Sequence, residues 1–227
     1  MASSLNGVRT TLFAAVRALA FMPLLYAIAA ISPGASPAAV SPSFGDLVLN
    51  ANRAAGLYGD PAAAAAHWHR QHGLDCGEVA VADVVGEITG RQPTEQQVDE
   101  LAQSIPSTTH SGPIWQPSGF TDVRDLPILL KHYGIGVKST QTDLDTLKRT
   151  LGMGGKIIAV VNAEILWNRP GDRKWGDHFV VVTGIDSRSG VVHLNDSGIS
   201  SGRDEHVPIA VFEQAWATNF HSALITR

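Results

Sequence analysis

Between residues 60 and 151 the apolar positions recur every three or four residues, and from residue 157 onward they collect into short β-branched runs. The first spacing belongs to helices with one apolar face, the second to strands. Asp60 and Pro61 supply a cap and a first-turn proline ahead of residues 62–66, which predicts a short helix. The segment CGEVAVADVVGEIT sets Val79, Val81 or Ala82, and Val85 near one face and stops at Gly90, so a buried helix is expected to open at or just before Cys76. Thr94 and Gln97 make a capping box for a helix ending near Pro106. Thr121 or Asp122 is expected to cap a third, running through Leu126, Ile128, Leu129 and Leu130 to Gly134, and residues 142–151 read as a fourth. Residues 157–161, 178–183 and 191–195, separated by Gly and Asp turns, predict an antiparallel sheet. Helices first and strands afterwards describe an α+β domain in which N-terminal helices pack on a C-terminal antiparallel sheet.

Ahead of residue 55 the pattern differs. Arg9 and Arg17 precede residues 18–30 (ALAFMPLLYAIAA), an uncharged and mostly apolar run followed by small residues and prolines. That is the layout of a signal peptide or signal anchor, expected over residues 1–35. The run is shorter than the ~20 residues a spanning helix requires, and Pro23 interrupts it. Residues 32–43 are rich in Pro, Ser and Ala and carry no charge, so residues 36–54 are expected to be a linker and residues 55–227 the folded domain. The expectation is a secreted or cell-envelope protein whose membrane contact is confined to its export segment.

Composition narrows the function classes. Lys and Arg total 17 against 21 Asp and Glu, a net charge of −4, with no basic cluster, which excludes a nucleic-acid footprint. The single cysteine rules out an intrachain disulfide and a CxxC metal clamp. His67, His69 and His72 have the spacing of a metallo-β-lactamase-like zinc motif, but Gln71 stands where that motif needs an aspartate, and the segment follows a helix where the motif should follow a strand. A polar helix end is the plainer reading, and no metal or other cofactor is expected.

Three segments carry candidate chemistry. Cys76 sits where a helix should begin, and the positive end of a helix dipole favours the nucleophilic thiolate. His178 opens an apolar strand, a rigid mount for a general base. Asn195 and Asp196 end the next strand. Taken singly these are a small buried hydrophobe, a strand histidine and a turn; together, in this order, they are the nucleophile, base and orienting group of a thiol hydrolase. Side chains alternate along a strand, so Val192, Leu194 and Asp196 share one face and His193 and Asn195 the other, which favours Asp196 as the group turned toward His178.

The ordered words Gln71, Asp75-Cys76-Gly77, His178-Phe179-Val180-Val181 and Asn195-Asp196 resemble those of the C39-like members of the papain-type cysteine peptidase clan. The resemblance runs over most of residues 68–225. It implies a papain-like fold, Cys76 as nucleophile, His178 as general base, Asp196 as orienting acid, Gln71 as oxyanion donor, and a peptide or protein substrate. Gly77, Asn195, Trp115 and Trp175 are candidates for substrate contacts. Two features depart from the family pattern: Glu78 stands where proline is common, and the gap from Gln71 to Cys76 is one residue shorter than the usual papain-like separation. The expected function is an exported papain-like cysteine hydrolase that cleaves a peptide or amide bond through an acyl-thioester; the alternative is a secreted or surface-tethered peptide-binding module with the same fold and no turnover.

Overall fold

The computed structural model describes residues 42–226. The expected export segment and the start of the expected linker, residues 1–41, lie outside them. Residues 44–54, expected in the linker, form helix α1 (Phe44–Ala54). The uncharged Pro/Ser/Ala composition ends at Ser43, and there a capping box begins: Asp46 N–H donates to Ser43 Oγ, and Ser43 N–H donates back to the Asp46 carboxylate. No residue of α1 is buried.

The short strand β1 (Leu57–Gly59) leads to α2 (Pro61–Ala64), capped by Asp60, and a 3-10 turn over Ala65–His67. Then come α3 (Cys76–Thr89), α4 (Glu95–Ser104) with its Thr94/Gln97 capping box, and α5 (Leu126–His132). Helix α5 starts later than Thr121 or Asp122 would set it. Thr121 donates its hydroxyl to Glu78, and Asp122 is paired with Arg124, so neither caps it. Strand β2 (Val137–Gln141) and helix α6 (Leu144–Gly152) follow, then β3 (Ile157–Val161), α7 (Ala163–Leu166), β4 (His178–Asp186), β5 (Val191–Asn195), β6 (Glu205–Pro208), α8 (Ile209–Ala217) and β7 (Ser222–Thr226).

The seven strands form one antiparallel sheet in the order β2-β7-β3-β4-β5-β6, with β1 paired to the far end of β4. Alternation along β3 and β4 serves two cores. Ile158, Val160, Phe179 and Val181 face α3, α4 and α5, whereas Ile157, Ala159, Val180 and Val182 join Leu147, Phe212 and Trp216 beneath α6 and α8. The fold is therefore the α+β papain-like arrangement, with a second helical layer on the opposite face of the sheet. Among the described residues no helix is long and apolar enough to cross a membrane.

Candidate active site

Cys76 is the first residue of α3, where backbone N–H groups have no intrahelical acceptor. Every residue from Cys76 to Gly86 is buried, which fixes this helix end against β4. The approach at Gly77 is tight: a Cβ there would stand 3.1 Å from Leu126 and 3.3 Å from Phe179, so those side chains would have to give by a few tenths of an ångström.

His178 opens β4 and is the register partner of Val161 on β3. Its Nε2 meets Asp196 Oδ1 at 2.7 Å. The Cys76 side chain lies close enough to favour the charged imidazole as well. Burial opposes the charged imidazole, but the Asp196 carboxylate and the Cys76 side chain outweigh it and push His178 up to about 10. Asp196 is buried as well. It accepts from His178, from Trp167 Nε1 at 2.8 Å and from the Gly198 N–H at 2.7 Å, and these donors hold its carboxyl below the usual range against the cost of burial. The Trp167 ring packs on His178 with centroids 5.1 Å apart.

Other buried carboxyls behave in the opposite way. Glu78 is fully buried; one oxygen accepts from Thr121, the other has no partner among the described residues, and burial pushes the group up to about 8. Burial and the charge of Asp196 beside it likewise push Glu205 up to about 8, so near neutral pH it meets Asp196 as a proton-bearing acid. Asp75, next to the nucleophile candidate, rises to about 7 through burial and its contact with Glu95.

A mostly apolar cavity of about 320 Å³ adjoins the sulfur, lined among others by Cys76, Gly77, Phe120, Val160, Asp177 and Phe179. Such a cleft beside a cysteine and a hydrogen-bonded His–Asp pair has the parts for nucleophilic attack on a carbonyl.

The family comparison bears on the same segments. The Peptidase_C39 like family matches residues 63–223. The chain belongs to this C39-like family. Uncharacterized proteins of Mycobacterium bovis and Mycobacterium tuberculosis are each 42% identical to it over 206 residues, covering 79% of this chain and 89% of theirs. A solved Bacillus anthracis structure, assigned as a C39-like peptidase, aligns with a TM-score of 0.56 at 18% identity, over 70% of this chain and 93% of that one, and shares its fold.

Within this C39-like domain the remaining candidates scatter. Gln71 is tied to the residue after Asp196: its N–H donates to Ser197 O at 3.1 Å, its Oε1 accepts from Ser197 Oγ at 2.8 Å, and its Nε2 donates to Gly73 O at 2.8 Å. Asn195 donates to Ala64 O at 2.9 Å, on the sheet face opposite Asp196. Trp115, a candidate for substrate contact, is a core residue at 6% exposure, and its Nε1 donates to Leu74 O at 2.9 Å, bracing the segment that enters Cys76. Trp175 is 65% exposed, just ahead of the cavity-lining Gly176 and Asp177. The three histidines of the zinc-like spacing part company, His67 going to Gln92, His69 to Asp83 and His72 to Glu95.

Trp167, Gly198 and Glu205 were not singled out from sequence as site residues. Gly198 is sterically required, since a Cβ there would lie 2.6 Å from Trp167 and 2.9 Å from His178. An indole or a Ser-Gly pair carries no local mark of such a role; only the turn after Asn195-Asp196 hinted that chain would crowd there.

Proposed function

We propose that this chain is an exported cysteine hydrolase that cleaves a peptide or amide bond through Cys76, His178 and Asp196. The observation that carries the reading is the placement of the Cys76 side chain beside His178, whose Nε2 meets the buried Asp196 Oδ1 at 2.7 Å, at the wall of an apolar cleft. An imidazolium retained beside the sulfur favours its nucleophilic form. Sγ attacks the scissile carbonyl carbon and the C–S bond forms. As the C–N bond breaks, His178 gives its proton to the leaving amine. Water then attacks the thioester, its proton passes to His178, and the C–S bond breaks to release the acid and restore the sulfur. The unpaired N–H groups at the start of α3 stabilise the oxyanion, and Gln71 joins them if its amide turns away from Gly73. Export rests on Arg9, Arg17 and the apolar run after them.

The test is iodoacetamide labelling across pH, with Cys76→Ala as control. A catalytic thiol is alkylated at pH 6, well below the ordinary thiol range near ~8.5, and hydrolysis of a peptide library disappears in a folded Cys76→Ala chain. Alkylation without turnover would leave a binding module in place of an enzyme. Recovery of the intact chain from the cytosol would remove the export part alone.

A further inference from the structure

His193 and His206 are register partners on the neighbouring strands β5 and β6, with ring centroids 4.3 Å apart. Asp204, just before β6, completes a cluster with them. His193 Nδ1 lies 2.8 Å from Asp204 Oδ1, and His206 Nε2 lies 3.3 Å from Asp204 Oδ2. One potential ligand atom from each residue falls within 4.8 Å of the other two. His193 is nearly buried at 9% exposure, while His206 is exposed, so the cluster is anchored on one side and open to solvent on the other. In a tetrahedral site with bonds of about 2.0–2.1 Å, neighbouring ligand atoms stand roughly 3.3 Å apart, so the His206 to Asp204 separation already fits and the His193 to Asp204 separation would open by about half an ångström.

We propose that His193, Asp204 and His206 bind one divalent transition cation of the zinc type, with solvent completing the coordination. Two imidazoles and a carboxylate suit zinc and its neighbours, whereas calcium and magnesium take all-oxygen sets. The site is separate from the thiol and does not depend on the hydrolase reading. Its position gives it a structural use. The chain runs from Asp196 at the end of β5 to Asp204 at the start of β6, and a cation clasping Asp204 to both strands would close the loop that carries Asp196 and Gly198.

The test uses the full chain carrying Cys76→Ala, which removes a thiol that could bind zinc with His178. Zinc chloride is titrated into the chelator-stripped protein by calorimetry, and zinc content is measured after dialysis. The expected result is one equivalent lost in His206→Ala and in Asp204→Asn, with affinity at least ~10-fold weaker, and a thermal midpoint raised by ~5 °C with zinc in the parent only. His206 is at the surface, and asparagine accepts the left-handed backbone of Asp204 (φ 51°), so both variants should fold. Should Cys76→Ala itself fail to fold, Cys76→Ser serves as the background. No zinc bound by the parent, or the same zinc bound by both variants, overturns the proposal.

Discussion

Asp196 and Glu78 are both fully buried carboxyls, and the protein holds them in opposite charge states. Asp196 stands on the strand side, where the turn after β5, the end of α7 and the start of β4 bring three donors onto its two oxygens. Glu78 stands on the helix side, on α3, where among the described residues the Thr121 hydroxyl is its one side-chain donor. Equal burial therefore does not predict charge. The number of donors aimed at the carboxyl decides whether burial neutralises it or locks it in as an anion. The donors around Asp196 let it stay an anion opposite His178, whereas Glu78, with one hydroxyl donor, is held neutral near pH 7.

Substitutions can pull this contrast apart. The largest effect belongs to Asp196→Asn, which keeps the shape and removes the charge opposite His178; kcat should fall by ~10³ or more with the circular dichroism spectrum unchanged. A comparable kcat loss in Glu78→Gln would mean that both carboxyls serve His178 and that the contrast is false. Trp167→Phe should come next. It deletes one donor to a buried anion and so should cost about 1–3 kcal/mol in denaturant unfolding and roughly tenfold in kcat.

Glu78→Gln tests the helix side through pH. The folded-state value of about 8 lies above the ordinary 4.5, so the stabilisation from a neutral Glu78 is complete below about pH 4.5 and is lost as pH rises through 8. The wild-type melting temperature should therefore decline between pH 6 and 9. The variant should decline less and be the more stable by ~1 kcal/mol at pH 9. Glu205, raised in the same sense, leaves it some residual slope. Asn195→Ala should be the mildest for catalysis, changing kcat by less than ~3-fold while losing about 1 kcal/mol of stability, because its amide holds Ala64 and does not face His178. A severe kcat loss there would pass the orienting role to the amide.

What could be read from sequence was whatever a short segment decides for itself. Helix α3 starts at Cys76 because an apolar, small-residue run begins there, and the strand runs at 157–161, 178–183 and 191–195 are strands. Alternation along β5 gave Asp196 a direction: Val192 and Leu194 lie in the core beneath α8, and Asp196 follows in step. Contacts made at long range were not legible. Trp115 looked like loop because prolines and glycines surround it, yet a bridge between Pro106 and Pro113 folds that segment back and carries the indole into the core. Trp167 reaches Asp196 across 29 positions, and no local spacing announces such a partnership. Helix α1 was hidden by the uncharged prolines just ahead of its capping box.

The recessed sulfur has a consequence for redox chemistry. Cys76 is 6% exposed, at a cavity shared with Phe120 and Phe179. A disulfide needs the two cysteine Cα atoms within roughly 4.4–6.8 Å of each other. Two copies of this chain cannot bring helix ends that deep so close without unfolding, and the chain has no second cysteine to offer. In an oxidising setting, where thiols pair readily, the fold itself keeps this one from being captured by its own kind, while oxidants as small as a peroxide still reach it.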